Sequence, residues 1–308
     1  MRVTALAGGT GAAKFLRGLT SCMNPRDLTV IGNTGDDTEI WGLHVSPDLD
    51  TLTYALTGRL DVARGWGVAD DTFHALAAMG ALGGETWFRL GDRDLATHIY
   101  RTRALRAGVS LTGVTNAIGQ ALGLRIRLLP MSDDPVKTRI QTPDGWMSFQ
   151  NYFVREKART RTIGIEYAGA EKAVPAPGVL DAIRAANAVI VCPSNPITSI
   201  GPILSVPGIR AALMETNAIV LAISPIVGGA AVSGPAGELM SACGLPVSPV
   251  GVARAYTPWL DVLVIDRRDI KQTHAVLEHG AEPVVTDTMM TDHAGETALG
   301  RLVLEALA

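Results

Sequence analysis

The sequence predicts an α/β fold: a Rossmann-like, doubly wound and mostly parallel sheet, with a smaller α+β insertion. Short apolar strands alternate with longer amphipathic segments in both the first and the last third of the chain. A glycine-rich turn follows the first strand. In the middle of the chain a Pro-Asp-Gly turn separates two strand-like runs, which is typical of an antiparallel hairpin.

The first strand and helix open the predicted core. Residues 3–7 form a mostly apolar strand, a helix is expected through Phe15 and Leu19, and a second strand is expected over 28–31. Residues 70–121 are expected to be rich in helix. The alternation then returns, with predicted helices over 181–186, 209–214 and 296–307, and strands over 188–192, 218–223, 262–265 and 284–285.

The middle of the chain is expected to form the insertion, because its pattern is strand-like with frequent turns. The predicted strands cover residues 125–129, 138–141, 146–149 and 162–167. We therefore divide the chain into a nucleotide-binding core of residues 1–124 and 168–308 and an antiparallel, β-containing insertion of residues 125–167.

Composition excludes several classes of protein. Of the 308 residues, 47% are hydrophobic and 19% charged, which is too apolar for a disordered chain. No apolar stretch approaches the roughly 18 residues of a membrane span, so we expect a cytoplasmic protein without membrane contact. The net charge is −3 and no basic run carries interleaved aromatic residues, so nucleic acid is not an expected partner. Three cysteines without a CxxC pair indicate neither a zinc site nor a disulfide framework.

The turn after the first strand predicts a phosphate site. It contains Gly8, Gly9, Thr10, Gly11 and, at the start of the helix, Lys14. Backbone amides at the positive end of a helix dipole bind anions, and the lysine adds a full charge. Lys14 stands where the GxGxxG fingerprint has Gly or Ala, and the GxxxxGK[ST] spacing is absent. Both observations disfavour an NAD-dependent oxidoreductase or a P-loop ATPase; a purely structural turn is the other alternative.

Acidic residues follow the second strand, at Asp36 and Asp37, and recur at Asp48 and Asp50. Loops at the carboxyl ends of parallel strands share one crevice, so these carboxylates are expected near the phosphate. Mg²⁺ is bound through one or two carboxylates together with substrate phosphates. We therefore predict Mg²⁺ as the cofactor, with Asp36, Asp37 and Asp50 as its candidate ligands. Alternatively, the first two are turn residues and Asp48 caps a helix.

A rigid polar loop follows a later buried strand at residues 192–201. Its Ser194 and Asn195 are uncharged donors and acceptors suited to a purine edge or a phosphate, unless the loop is only a connection. Three tryptophans of the first third could stack on a planar ligand, although a core position is commoner for this residue. They are Trp41, Trp66 and Trp87.

Together these motifs resemble the 2-phospho-L-lactate transferase family. In order they are GGTG, NTGDD, SPDLDT, RGWG, LGDRDLATH, LPMSDDP, PSNPITSIGPIL, SPIVGG, VSGPAG and DTMM, and they extend from Thr4 to Met290. The resemblance implies a Mg²⁺-dependent, usually dimeric transferase in the biosynthesis of the deazaflavin coenzyme F420. Its substrates would be small molecules: a guanosine-diphosphate-linked three-carbon acid, and the 5-deazaflavin Fo, whose ribityl hydroxyl receives the phospho-acid with release of GMP. Phospholactate, phosphoenolpyruvate and phosphoglycerate all remain open.

The resemblance also implies roles for particular residues. Residues 8–11 form the phosphate loop, Ser194 and Asn195 fall where the guanine nucleotide is held, and Asp50 and Arg89 fall where the family contacts Fo. Asp50 is the candidate catalytic residue, which orients or deprotonates the Fo hydroxyl from a loop that we expect to be exposed.

A related family of nucleotide-sugar-binding regulators shares the GGTG start. It has a glycine- and serine-rich sequence after the acidic pair, where this chain has Thr38, Glu39, Ile40 and Trp41. This difference favours the transferase, and a non-catalytic nucleotide-binding regulator is the alternative.

Overall fold

A computed structural model describes residues 1–307 of the chain. Its strands are β1 (Val3–Ala7), β2 (Leu28–Gly32), β3 (Thr38–Ile40), β4 (Leu43–Val45), β5 (Arg127–Pro130), β6 (Lys137–Thr142), β7 (Gly145–Ser148), β8 (Gly164–Ala168), β9 (Ala188–Val191), β10 (Ile219–Ile223), β11 (Ile226–Val227), β12 (Ala230–Ala231), β13 (Val262–Asp266) and β14 (Glu282–Thr286). Its α-helices are α1 (Gly9–Leu19), α2 (Pro47–Leu56), α3 (His74–Ala81), α4 (Asp92–Arg106), α5 (Leu111–Leu122), α6 (Val179–Arg184), α7 (Gly201–Ser205), α8 (Ile209–Glu215), α9 (Ala236–Ala242), α10 (Pro249–Tyr256), α11 (Thr273–Leu277) and α12 (His293–Ala306).

Seven parallel strands form the central sheet, in the order β14-β13-β10-β9-β1-β2-β5. Strand β1 lies inside the sheet, with Val3 opposite Leu28 of β2 on one side and Ala188 of β9 on the other. The chain adds strands outward in one direction through β2 and β5 and then in the other direction from β9. The order therefore reverses between β1 and β9, which is the position where doubly wound sheets open a ligand crevice.

Successive side chains of each strand point to opposite faces of this sheet, so that both faces are apolar. Helices cover both of them. Ala5 and Ala7 of β1 belong to a hydrophobic cluster with Phe15 of α1, while Leu6 belongs to a second cluster with Ile203 of α7. The predicted fold class, a Rossmann-like α/β sheet with additional small antiparallel sheets, is confirmed.

The insertion differs from its predicted extent. Residues 127–130 form β5, which pairs in parallel with β2 at the edge of the central sheet. The antiparallel sheet, in the order β7-β6-β8, begins only at Lys137 and ends at Ala168. The predicted hairpin is present, with Thr142 opposite Gly145. A short apolar run has the same pattern in an edge strand and in a hairpin strand, so the sequence could not separate the two.

The antiparallel pair β3 and β4, which follows the acidic turn after β2, was not predicted. As for membrane contact, no single helix of the described residues is long and apolar enough to cross a bilayer. One pair, Pro196–Ser205 and Ile209–Glu215, reaches that length and composition only when its two parts, bent by 88°, are taken together.

Helix α1 is fixed against α12 by a close backbone contact. A Cβ atom at Gly18 would lie 2.8 Å from the backbone nitrogen of Thr297 and still closer to the carbonyl of Glu296. Beside this contact the guanidinium of Arg17 donates to both oxygens of the Glu296 carboxylate, which is 1% exposed. Since α1 begins in the glycine turn, this contact also fixes the predicted phosphate site.

We expect Gly18→Ala to lower the free energy of unfolding by roughly 2 kcal/mol or more, because helix backbones cannot move aside as a flexible side chain can. Denaturant unfolding measures this change. Gly80→Ala, in the exposed helix α3, is the matched control and should be neutral or slightly stabilising. Equal stabilities of the two variants would contradict the packing argument.

Candidate active site

A cavity of about 840 Å³ opens where the strand order reverses, at the carboxyl ends of the strands. The turn after β1, the loops after β9 and β10, and helix α2 contribute to its wall. Nearly all predicted site residues line it: Gly8, Gly9, Thr10, Gly11, Lys14, Asp36, Asp50, Arg89, Ser194 and Asn195.

Asp48 ties together the loops around the cavity. Its Oδ1 accepts from the backbone N–H of Gly9 at 2.9 Å, and its Oδ2 accepts from the amide of Asn33 at 2.9 Å. The same amide nitrogen donates to the carbonyl of Thr198 at 3.1 Å. Asp48 lies in the first turn of α2, whose N-cap is Ser46, so the interpretation of Asp48 as a cap is wrong.

The glycine turn is packed closely against neighbouring residues. A Cβ atom at Gly8 would lie 2.5 Å from Oδ2 of Asp48 and 2.8 Å from Cβ of Ser199, and one at Gly11 would collide with the carbonyl of Pro193. Gly9 has φ +74°, a conformation that favours glycine. The structural interpretation of these glycines therefore has support, and it does not exclude binding.

An anion cradle remains at the start of α1. The N–H of Gly9 is used by Asp48, and the N–H of Gly8 contacts Oγ of Ser194 at 3.4 Å. The amides of Thr10 and Gly11 belong to the first helical turn, where no intrahelical acceptor exists, and both residues line the cavity. With Lys14 on the same wall, this end of the cavity suits a phosphate.

Two carboxylates face each other beside this cradle. Burial, together with the charge of Asp48, raises the pKa of Asp36 well above its ordinary value. Burial also raises the pKa of Asp48 to about 6, against the hydrogen bonds from Asn33 and Gly9. Oδ1 of Asp36 is buried and has no hydrogen-bond partner among the described residues. Ionisation of both carboxyl groups at once is therefore unfavourable without a further positive charge beside them.

Asp37, the second candidate metal ligand, is directed away from the cavity. Its Oδ2 contacts Nε2 of His44 at 2.9 Å and accepts from Oγ of Ser46 at 2.8 Å, and the residue is not part of the cavity wall. Within residues 1–307, no group of three His, Cys, Asp or Glu side chains is placed to hold a metal ion. The predicted set of Asp36, Asp37 and Asp50 is thus not assembled, because the latter two have other partners.

Asp50 is buried, contrary to the exposed loop that we expected. It lies in α2, is 5% exposed, and accepts through both carboxylate oxygens from the guanidinium of Arg101, which is 2% exposed. Burial lowers the pKa of Arg101, but the charge and the hydrogen bonds of Asp50 outweigh this effect. The pKa therefore lies above its ordinary value. The two residues form a buried ion pair, and removing one charge would strand the other.

His98 extends this buried group. Its Nδ1 lies 3.3 Å from Nη1 of Arg101 and its Nε2 lies 3.2 Å from Oδ1 of Asp94. The hydroxyl of Tyr54 donates to the same Asp94 oxygen at 2.8 Å. Although burial raises the pKa of Asp94, its contacts with His98 and Tyr54 hold it below the ordinary value. Asp94 and His98, both within the motif LGDRDLATH, are thus a buried pair one helical turn apart.

The outer wall of the cavity is aromatic and positively charged. Arg64 and Arg89 line the cavity, and their guanidinium groups lie 5.1 Å and 4.8 Å from the ring of Phe73, which is not part of the wall. Trp66 and Trp87 line the cavity as well. Trp41 does not, because its indole nitrogen donates to the carbonyl of Glu85. Faces of this kind bind planar ligands by stacking.

The loop after β9 supports the turn after β1 while contributing to the cavity. Oδ1 of Asn195 accepts from the N–H of Ile197 at 2.9 Å, so this oxygen caps the following π-helical turn, Pro196–Ile200. Its Nδ2 is left to donate to a ligand. Tyr167 of β8 donates to the carbonyl of Ile197 at 2.5 Å and braces the loop from the insertion.

Sequence reasoning did not select three residues that shape the site: Asn33, His98 and Arg101. Asp48 was expected near the phosphate, Asn33 stood within a quoted motif, and His98 stood within LGDRDLATH. Arg101 was in no motif. A charged residue three positions after His98 on one helix face was the signal available for it.

Known proteins are similar to this chain in sequence and in fold. The family model described as 2-phospho-L-lactate transferase CofD matches residues 3–303. A 2-phospho-L-lactate transferase from Methanosarcina mazei is 43% identical over 300 residues, 97% of this chain and 98% of that protein. A phosphoenolpyruvate transferase from Streptomyces griseus is 45% identical over 311 residues, 99% of this chain and 98% of that protein. Among solved structures, protein BH3568 from Bacillus halodurans has a TM-score of 0.69 at 18% identity over 98% of this chain and 99% of that one, a likeness of fold alone.

We expect Asp36→Asn to raise the melting temperature by a few degrees in EDTA at pH 7.5, because it removes a buried carboxyl group whose ionisation is opposed by burial and by the charge of Asp48. The wild type should gain stability as the pH falls from 7 towards 4. The folded pKa of Asp48, about 6, exceeds the value near 4 of an unfolded chain, so the penalty for its charge is present above pH 6 and disappears below pH 4.

Thermal melts between pH 5 and 8 measure both effects, and the variant should show the flatter dependence on pH. Asp144→Asn, in the exposed turn between β6 and β7, controls for the loss of a surface charge. A melting temperature of Asp36→Asn below that of this control would contradict the repulsion.

Proposed function

This chain belongs to the 2-phospho-L-lactate transferase CofD family and is a transferase, and on that basis we propose that it moves a phospho-acid onto the deazaflavin Fo in coenzyme F420 biosynthesis. The donor in this proposal is the acid linked to guanosine diphosphate, and GMP is released. One observation carries it: a single cavity joins the anion cradle of α1 to an aromatic wall that contains Arg89 and, deeper, Asp50.

The donor would bind at the cradle. The amides of Thr10 and Gly11 and the charge of Lys14 suit its diphosphate. Ser194 and Asn195 line the same cavity beside the turn, and the nucleoside would lie against them. The relatives' names contain two different acids, phospholactate and phosphoenolpyruvate, at similar identity. Both, and phosphoglycerate, therefore belong in the test.

The residues present fit a divalent cation, with a ligand set that differs from the predicted one. Asp36 and Asp48 line the cavity, repel each other and include a buried oxygen without a partner, so a cation would balance their charge. Mg²⁺ needs only one or two carboxylates when phosphates complete its shell. When bound, it would supply charge neutralisation to the phosphoryl oxygens.

The acceptor would bind against the aromatic wall, where Trp66, Trp87 and Phe88 offer stacking surfaces and Arg89 a donor. Asp50 would accept a hydrogen bond from the Fo hydroxyl. Each carboxylate oxygen has two lone pairs, of which Arg101 uses one on each oxygen, so acceptor capacity remains.

The transfer is a displacement at phosphorus. A bond forms between the Fo hydroxyl oxygen and the phosphorus that bears the acid, the bond from that phosphorus to the bridging oxygen breaks, and GMP leaves with that oxygen. The hydroxyl proton is lost, and Asp50 is its candidate acceptor. Positioning and charge stabilisation account for most of the rate enhancement in such reactions, and the cradle, Lys14 and Asp50 would supply both.

Purified protein incubated with Fo and each of the three guanosine-linked donors should give GMP and the matching phospho-acid ester of Fo, identified by mass spectrometry. An adenosine-linked donor is the control and should react at least tenfold more slowly if the loop at Ser194 pairs with the base edge. Binding of the donor without GMP release would instead identify a nucleotide-binding regulator. Light scattering on the same sample tests the homodimer that we propose.

Turnover should require a divalent cation. We expect excess EDTA to abolish product formation and added Mg²⁺ to restore it, because the two buried carboxylates otherwise repel the donor phosphates. The loss should reach about a hundredfold or more, the size typical of removing a major transition-state charge partner. Full turnover in EDTA would refute the metal requirement while leaving the transferase activity intact.

A further inference from the structure

We propose that Arg101 is a positioning residue for the acceptor side of the reaction: its guanidinium fixes the Asp50 carboxylate in one orientation and, through a second contact, fixes the ring of His98. The inference rests on the proposed function, because it concerns how Asp50 presents itself to the acceptor. Nothing in the motifs that carry the family resemblance includes Arg101.

The geometry of the ion pair supports this role. Nη1 of Arg101 donates to one oxygen of Asp50 at 3.0 Å and Nη2 donates to the other. A planar guanidinium holding both oxygens determines the plane of the carboxylate as well as its position. Arg101 itself is not part of the cavity wall, whereas Asp50 is. Arg101 therefore acts through Asp50 and does not touch the substrate.

The contact with His98 adds a second constraint. Nη1 of Arg101 lies 3.3 Å from Nδ1 of the ring, and because a guanidinium only donates, Nδ1 must be the acceptor. The ring proton is then on Nε2, 3.2 Å from Oδ1 of Asp94. Arg101 thus contacts, besides Asp50, a ring that is 1% exposed and whose residue lines the cavity.

A merely structural role for Arg101 makes a different forecast. Such a role would stabilise α4 against α2, and its loss would lower the melting temperature and the active fraction without changing the affinity of the remaining active molecules for Fo. Positioning, in contrast, predicts a selective loss on the acceptor side. The split between the KM values of acceptor and donor therefore separates the two roles.

The test is Arg101→Lys, which keeps a positive charge beside Asp50 but cannot bridge both oxygens and Nδ1 of His98 at once. We expect the KM for Fo to rise at least tenfold and kcat to fall at least tenfold, with the KM for the donor within twofold of wild type. Arg103→Lys is the matched control, on the exposed face of the same helix, and should behave as wild type in all three constants. Fo binding to the wild type is measured first, by titration.

Should Arg101→Lys fail to fold, the double variant Asp50→Asn with Arg101→Gln replaces the ion pair by a neutral hydrogen-bonded pair and leaves no buried charge unpaired. Titration should show that it binds the donor as tightly as Asp50→Asn does, and Fo at least tenfold more weakly than Asp50→Asn, which keeps the guanidinium that orients the side chain at position 50. An unchanged KM for Fo in Arg101→Lys, or equal Fo affinities of the double variant and Asp50→Asn, with a wild type that binds and converts Fo, would overturn the positioning role alone. A wild type that neither binds nor converts Fo would overturn the proposed function and this inference with it.

Discussion

The carboxylate of Asp48 holds the loops of the site together. Asp48 accepts from the backbone of Gly9 and from the side chain of Asn33, and Asn33 in turn donates to the backbone of Thr198. These contacts join the ends of the three neighbouring strands β9, β1 and β2, at the place where the sheet order reverses. The charge of the same carboxylate raises the pKa of Asp36, so the residue that organises the loops also opposes the ionisation of its neighbour.

The insertion that contains the antiparallel sheet β7-β6-β8 supports the crevice from one side. The N–H of Thr138 donates to the carbonyl of Gly35, the amide of Gln150 donates to the carbonyl of Asp36, and Tyr167 donates to the carbonyl of Ile197. Each bond ends on the backbone of a loop that lines or borders the cavity. The insertion therefore fixes the acidic turn and the loop after β9 relative to each other.

The sequence predicted the parallel sheet because short, continuously apolar runs indicate strands that are buried on both faces. It predicted the glycine turn as a phosphate site because that motif, too, consists of residues adjacent in the sequence. It could not predict which carboxylates have partners. Asp37 is neighboured by His44 and Ser46 only once β3 and β4 pair, and Asp50 meets Arg101, 51 positions away, only once α2 packs beside α4. Likewise, Arg127–Pro130 joined the central sheet through contacts with β2 that no local pattern records.

The position of β1 in the sheet has a consequence for how the chain acquires its structure. One neighbour, β2, follows within the first 32 residues, but the other, β9, begins at Ala188. During synthesis β1 and β2 are therefore complete long before the strand that covers the open edge of β1 leaves the ribosome. Pairings between distant segments are slow to form, and an unpaired apolar edge invites association with other chains. The strand that precedes the glycine turn is thus the one that waits longest, during synthesis, for the neighbour that covers its open edge.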